Sequence, residues 1–160
     1  MDVLPVAHRY GMGVIVWSPL AGGWLTGKYR KDQDVPKDSR AERVRAWGED
    51  SPVARRFDMT RPGNQRKLDI VEDLILVAEK AGLSLTHMAN AFVLAHPAIT
   101  SAIIGPRTME QVDDLLAGAE VRLDDETLDA IDDVVPPGAV IDDADRGWAA
   151  PWMEPGARRI

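Results

Sequence analysis

Two short apolar runs, residues 14–17 and residues 99–104, most constrain how this chain can fold. Neither run shows the strict alternation of polar and apolar residues that marks a half-exposed strand, so both are predicted to be buried β-strands covered on both faces. Apolar residues at helical spacing fill the interval between them and continue after the second. The predicted order is strand, helices, strand, helix, which indicates an α/β fold.

Helical patterns and breakers divide the rest of the chain. The sequence predicts the end of a helix at Val3 to Ala7, a helix from Leu68 to Ala78 that Gly82 ends, a helix over residues 86–95, one over residues 109–116, and a last one that starts at Asp124 or Asp125 and stops at residues 136–138. Thr108 and Gln111 have the spacing of a capping box, in which the glutamine returns to the amide of the threonine. Residues 30–66 are expected to form a long polar loop, and residues 139–160 an irregular tail with Trp148 and Trp152.

A sheet of two strands has two open edges and little stability of its own. We therefore expect this chain to self-associate or to need further strands from elsewhere. The helix at its very start favours a chain that lacks an N-terminal half.

Charge and composition exclude several classes of function. The 160 residues carry 26 acidic and 19 basic side chains, a formal charge of −7, which disfavours binding to nucleic acid or to anionic membranes. The sequence contains no cysteine, so disulfides and thiolate metal sites are excluded, and no apolar run is long enough to span a bilayer. No metal site is predicted, and a cytoplasmic location is expected.

The segment after the first strand, which we call the glycine loop (residues 18–28), satisfies the G-x-x-x-x-G-K part of a phosphate-binding P-loop. That mechanism needs a serine or threonine after Lys28 and a helix that starts there, whereas Tyr29 and a polar stretch follow. The spacing of Gly11 and Gly13 also fails the Rossmann fingerprint. A hydroxyl at Ser18, backbone amides and Lys28 can still enclose a diphosphate without magnesium.

The segment after the second strand, the arginine loop (residues 105–108), places Arg107 beside the free amides of a predicted helix N-terminus. Amides and a guanidinium together favour a phosphate group, although an exposed arginine beside an ordinary helix cap would give the same pattern. The sequence thus predicts two anion-binding loops, each at the carboxyl end of a strand.

Both segments resemble the aldo-keto reductases. Residues 13–29, GVIVWSPLAGGWLTGKY, are similar to the seventh strand and following loop of that family, and residues 103–111, IIGPRTMEQ, are similar to its eighth strand and helix. The resemblance implies the C-terminal segment of a (β/α)8 TIM barrel, with strands seven and eight and their helices. It divides the chain into residues 1–29 (helix end, strand and cofactor loop), 30–66 (long loop), 67–135 (helices, strand and adenosine-side loop) and 136–160 (tail).

The same resemblance implies NADPH as the cofactor and a small carbonyl compound as the substrate of the full-length parent. The residues that would contact the cofactor are Trp17, beside the nicotinamide, Ser18, Pro19, Leu20, Gly22 and Lys28 at the diphosphate, Gly105 and Arg107 at the 2′-phosphate, and Gln111 and Asp114 near the ribose and adenine. The family often has Glu then Asn where this chain has Asp114 and Leu115, so the predicted adenine contacts depart from the family pattern.

The catalytic tyrosine, lysine, aspartate and histidine of that family lie on earlier strands, so no catalytic residue is assigned in this chain. Its histidines, His8, His87 and His96, are interpreted as structural or surface residues. The leading hypothesis is a fragment of an NADPH-dependent reductase of aldehydes or ketones that is inactive alone. The alternatives are a non-catalytic NADPH-binding module that needs a partner, and a P-loop nucleotide-binding protein.

Overall fold

The computed structural model describes residues 3–142, 145 and 156–157. In chain order its elements are α1 (Val3–Arg9), β1 (Ile15–Trp17), the 3-10 helix η1 (Ala21–Thr26), α2 (Arg40–Arg45), α3 (Pro52–Arg55), α4 (Pro62–Lys80), α5 (Leu85–Ala95), β2 (Ser101–Ile103), α6 (Met109–Ala117) and α7 (Asp125–Val134). The α/β class and the order strand, helices, strand, helix agree with the sequence. Trp148 and Trp152 of the predicted tail lie outside the described residues.

The two strands pair in parallel, with Ile15 opposite Ser101 and Trp17 opposite Ile103. Helix α5 packs against β2. The prediction that both faces are buried is wrong, because Ile15 is 65% exposed, Trp17 78% and Ile103 56%. These three apolar side chains therefore remain in contact with solvent.

The helices begin where side chains satisfy their first free amides. Ser84 accepts a hydrogen bond from the His87 amide at the start of α5, and Thr108 accepts one from the Gln111 amide at the start of α6. The predicted return bond of the capping box differs, since the side chain of Gln111 accepts from the Arg107 amide and not from that of Thr108. Gly82 follows α4 with φ of 69°, a left-handed conformation that ends the helix as expected.

The stretch from residue 30 to residue 66 is not one continuous loop, which corrects the sequence prediction. It holds α2, α3 and the first turn of α4, which starts at Pro62. Ser39 caps α2 and Ser51 caps α3, each with its hydroxyl oxygen accepting a backbone N–H. These helices have too few turns to show an apolar stripe in the sequence.

The main core lies beneath the glycine loop and not beneath the sheet. The rings of Trp24, Tyr29 and Phe57 pack together, with centroids 5.4 to 6.3 Å apart. Helix α4 supplies Leu68, Val71, Leu74 and Ala78 to the same cluster, and α7 packs on α4. The core therefore fixes the loop that follows β1.

Candidate functional site

The loops after β1 and β2 enclose one open cavity of about 560 Å³. Because the strands are parallel, their carboxyl ends meet at the same edge of the sheet, and the two loops face each other there. The cavity is lined by each residue that the sequence assigned to the site, namely Trp17, Ser18, Pro19, Leu20, Gly22, Lys28, Gly105, Arg107, Gln111 and Asp114. Their role in binding a cofactor stays a prediction.

The glycine loop follows an unusual backbone path. Ser18 and Ala21 have positive φ values of 62° and 49°, although neither is a glycine. Gly22 and Gly23 follow with φ of 71° and 107°. A Cβ atom on Gly23 would lie 2.6 Å from Cε and 2.9 Å from Nζ of Lys28, so this glycine lets the lysine cross directly over the loop.

Lys28 lies at the centre of a group of cations. Burial lowers the pKa of its ammonium group, and the nearby charges of Arg107 and Arg43 lower that pKa further. Arg40 lines the same cavity. Among the described residues, none of these four cations forms an ion pair with a carboxylate, so the cavity concentrates positive charge that would attract an anion.

Arg40 and Arg43 are site residues that sequence reasoning missed. They are three residues apart in α2 and share one face of the helix, which lines the cavity, whereas Ala41 and Val44 are buried on the other face. The cap residue Ser39 followed by this spacing was the available signal. The prediction of a single loop over residues 30–66 leaves no helix face for the two arginines to share.

The arginine loop is held by hydrogen bonds from both the backbone and the side chain of Arg107. The Arg107 amide donates to Oε1 of Gln111 at 2.8 Å, and Nη2 of Arg107 donates to the carbonyl oxygen of Asp38 at 3.1 Å. The second bond joins the loop after β2 to the segment that precedes α2. A Cβ atom on Gly105 would meet no atom within 4 Å, so the space above this glycine is open to the cavity.

Asp114 is bound by a histidine that was interpreted as a structural residue. Nε2 of His87 lies 2.9 Å from the carbonyl oxygen of Asp114 and 3.0 Å from its carboxylate Oδ1. Both neighbours are acceptors, so Nε2 carries the hydrogen. Thr86, next to His87, also lines the cavity, and the sequence did not identify it.

No tyrosine or histidine lines the part of the cavity that the structure describes. Tyr29 is buried in the core, and its hydroxyl accepts a hydrogen bond from the Ala41 amide at 3.2 Å. Within the described ranges, no three His, Asp or Glu side chains are arranged to hold a metal ion, and no helix is long and apolar enough to cross a membrane. The cavity offers phosphate-binding groups in preference to a proton donor.

A parallel strand pair whose carboxyl-end loops enclose a cationic cavity defines an α/β protein with a site suited to a phosphorylated ligand. A sequence profile of the Aldo/keto reductase family matches residues 1–136, and the chain belongs to this family. The family has the TIM-barrel fold, with which the mixed α/β structure agrees.

Individual relatives extend the comparison. The uncharacterized oxidoreductase YrpG of Bacillus subtilis is 36% identical over 136 residues, which cover 85% of this chain and 36% of that protein. A putative voltage-gated potassium channel subunit beta of Schizosaccharomyces pombe is 30% identical over 136 residues, 84% of this chain and 37% of the relative. The solved structure of a glycerol dehydrogenase from Gluconobacter oxydans matches with a TM-score of 0.64 at 26% identity. The match covers 93% of this chain and 41% of the dehydrogenase chain. The chain thus spans less than half the length of these relatives.

Proposed function

We propose that this chain is the C-terminal, cofactor-binding portion of an NADPH-dependent aldo-keto reductase that reduces aldehydes or ketones to alcohols. In this proposal β1 and β2 are strands seven and eight of the barrel. The observation that supports it most directly is the single cavity lined by Lys28, Arg40, Arg43 and Arg107. Two parallel-strand loops contribute to that cavity, at the position where TIM barrels commonly bind phosphate.

The charge and shape of the cavity fit this cofactor. NADPH carries about four negative charges near neutral pH, two on its diphosphate and nearly two on its 2′-phosphate, and the cavity presents the cations Lys28, Arg40, Arg43 and Arg107. Lys28 and the glycine loop would hold the diphosphate, and Arg107 the 2′-phosphate. The exposed ring of Trp17 would stack on the nicotinamide, with Gln111 and Asp114 at the adenosine end.

The bound nicotinamide would supply a hydride to a substrate carbonyl. The residues of this chain would bind and orient the cofactor. No described tyrosine or histidine lines the cavity, so neither residue type could donate a proton to the substrate there. The catalytic tetrad belongs, in this proposal, to the part of the barrel that this chain does not contain. The chain alone then binds NADPH without turnover.

A non-catalytic NADPH-binding module that works with a partner is the second candidate. The exposed apolar side chains of Ile15, Trp17 and Ile103 favour it, since they leave a sheet face that another chain could cover. The Schizosaccharomyces pombe relative is named as a putative channel beta subunit, which suits a module of this kind. The P-loop alternative is disfavoured, because residues 29–39 contain no helix and the first helix after Lys28 begins at Arg40.

Titration of the purified chain with NADPH tests the proposal. We expect quenching of tryptophan fluorescence, with Trp17 as the reporter, and a loss of affinity of about a hundredfold in Arg107→Met, because a guanidinium that pairs with a phosphate contributes roughly 1.5–3 kcal/mol. Arg122→Met is the matched control, since Arg122 is outside the cavity and donates to the Val121 carbonyl. Binding of Mg-ATP in place of NADPH, or no binding of NADPH at all, would refute the proposal.

The affinity for NADPH is also expected to fall as the pH rises through the lowered pKa of Lys28. Burial and the neighbouring arginines lower the pKa of Lys28 in the free protein, and a bound diphosphate favours the charged lysine and so raises that pKa. Between the two pKa values, binding takes up a proton, so the affinity decreases with pH. Calorimetric titrations from neutral pH to about pH 10 measure the slope.

Lys28→Arg is the control for this pH dependence. A guanidinium keeps its charge throughout this range, so the slope in the variant is expected to be nearly flat. An equal slope in both proteins would show that another group titrates on binding.

A further inference from the structure

Helix α2 has two chemically distinct faces, and the difference decides where its arginines lie. Ala41 and Val44 are buried in the core, at 5% and 2% exposure. Arg40 directly precedes Ala41, and Arg43 directly precedes Val44. Both arginines line the cavity, whereas Arg45 is not among its lining residues. Arg45 instead pairs with Glu42 of the same helix, at 3.7 Å. The helix therefore presents one arginine pair to the cavity and directs a third arginine away from it.

This helix is fixed to the core at its start. Ser39, which is 2% exposed, accepts a hydrogen bond from the Glu42 amide, and the hydroxyl of the buried Tyr29 accepts one from the Ala41 amide. Tyr29 directly follows Lys28 in the chain. The backbone that carries Arg43 is thus held by the same core residue that fixes Lys28, so little ordering is left for a ligand to induce.

Arg43, on helix α2, and Arg107, in the arginine loop, line the same cavity, and the charges of both act on Lys28. The two guanidinium groups lower the pKa of that lysine through their charges. The bond from Nη2 of Arg107 to the Asp38 carbonyl places Arg107 next to the residues that lead into α2. Two arginines that line one cavity, neither of them in an ion pair among the described residues, form an arrangement suited to a phosphate monoester with nearly two charges.

We propose that Arg43 acts with Arg107 as the second guanidinium for the 2′-phosphate, and that it sets the preference of this chain for NADPH over NADH. This inference rests on the proposed function, because it assumes that the cavity holds a dinucleotide. Lys28 and Arg40 match the two charges of the diphosphate, which both cofactors share. Arg43 and Arg107 match the two further charges that only NADPH carries.

Binding affinities of the 160-residue chain for NADPH and NADH, measured by calorimetry, test this role. In Arg43→Gln we expect the affinity for NADPH to fall about tenfold while the affinity for NADH changes less than about twofold. Adenosine 2′,5′-bisphosphate, which carries the 2′-phosphate without the nicotinamide, should lose affinity by the same factor as NADPH. Arg45→Gln removes the same charge from the same helix outside the cavity and should alter neither affinity.

Each outcome separates the inference from the function on which it rests. Equal losses for NADPH and NADH would place Arg43 at the diphosphate and overturn the inference, while the proposed function would stand. An unchanged NADPH affinity in Arg43→Gln would also overturn it. If the unsubstituted chain bound neither dinucleotide, the proposed function would fail, and the inference would fail with it. Circular dichroism of each variant verifies that α2 is intact.

Discussion

Gly23→Ala is expected to lower the affinity for NADPH by about a hundredfold. Gly23 has φ of 107° and ψ of 0°, a conformation that residues with a side chain rarely adopt and that costs roughly 1–3 kcal/mol. The new methyl group would also lie 2.6 Å from Cε of Lys28, so the lysine must leave its place over the loop. Loss of the charged contact to phosphate costs about 1.5–3 kcal/mol of binding free energy, which accounts for the expected loss, whereas the backbone strain mainly lowers the stability of the free protein. Calorimetric titration with NADPH measures the change in affinity.

Gly27→Ala separates the two causes. Gly27 belongs to the same loop and has a positive φ of 73°, but a Cβ atom there would meet only Ile75, at 3.8 Å. This variant bears backbone strain of about 1 kcal/mol without displacing Lys28, and we expect at most a fivefold loss of affinity. If the two variants lost affinity equally, the contact between Gly23 and Lys28 would have no special role.

Tyr29→Ala is expected to reduce the free energy of unfolding by about 3–5 kcal/mol. The ring is 2% exposed and packs edge-on against Trp24 and Phe57, so its removal leaves a cavity in the main core. The Ala41 amide also loses its acceptor at the start of α2. Since domains are marginally stable, a loss of this size should unfold a large fraction of the chain at 37 °C. Urea denaturation followed by circular dichroism gives the change.

Tyr29→Phe measures the hydroxyl alone. The ring stays in place, and the unpaired Ala41 amide should cost about 1–3 kcal/mol. Because that amide lies in α2, this variant should weaken NADPH binding through Arg40 and Arg43 more than Tyr10→Phe, which alters an exposed tyrosine. Equal stability of Tyr29→Phe and the unsubstituted chain would show that the hydrogen bond is weak.

The local structure of this chain was largely predictable from the sequence. Helix α5 could be located from the spacing of its apolar residues and from Pro97, and α6 from Thr108, because these signals act within a few residues. The residues of the glycine and arginine loops could also be predicted, because the motif in each loop is a continuous stretch of sequence. The helices α2 and α3 could not be predicted because they are too short to show an apolar pattern. The exposure of Ile15 and Trp17 could not be predicted because burial depends on residues far away in the sequence.

Which cations share the cavity could not be predicted from spacing. Arg43 and Arg107 are 64 positions apart, by subtraction of their residue numbers, and only the packing of α2 on Tyr29 brings the first beside the loop that carries the second. The bond between His87 and Asp114 is another example, because Gly118 leaves room for the ring: a Cβ atom there would lie 2.5 Å from Cδ2 of His87. Such contacts depend on how helices pack, which a linear pattern does not encode.

The α/β class, the two strands and the glycine and arginine loops after them can be read from the sequence. These features follow from local backbone preferences and from continuous motifs. That Lys28, Arg40, Arg43 and Arg107 face one cavity, and that apolar strand residues are exposed, depends on the packing of the whole chain. The physical reason is that a parallel pair of strands brings together the loops at its carboxyl ends, while the burial of each strand depends on what packs against it.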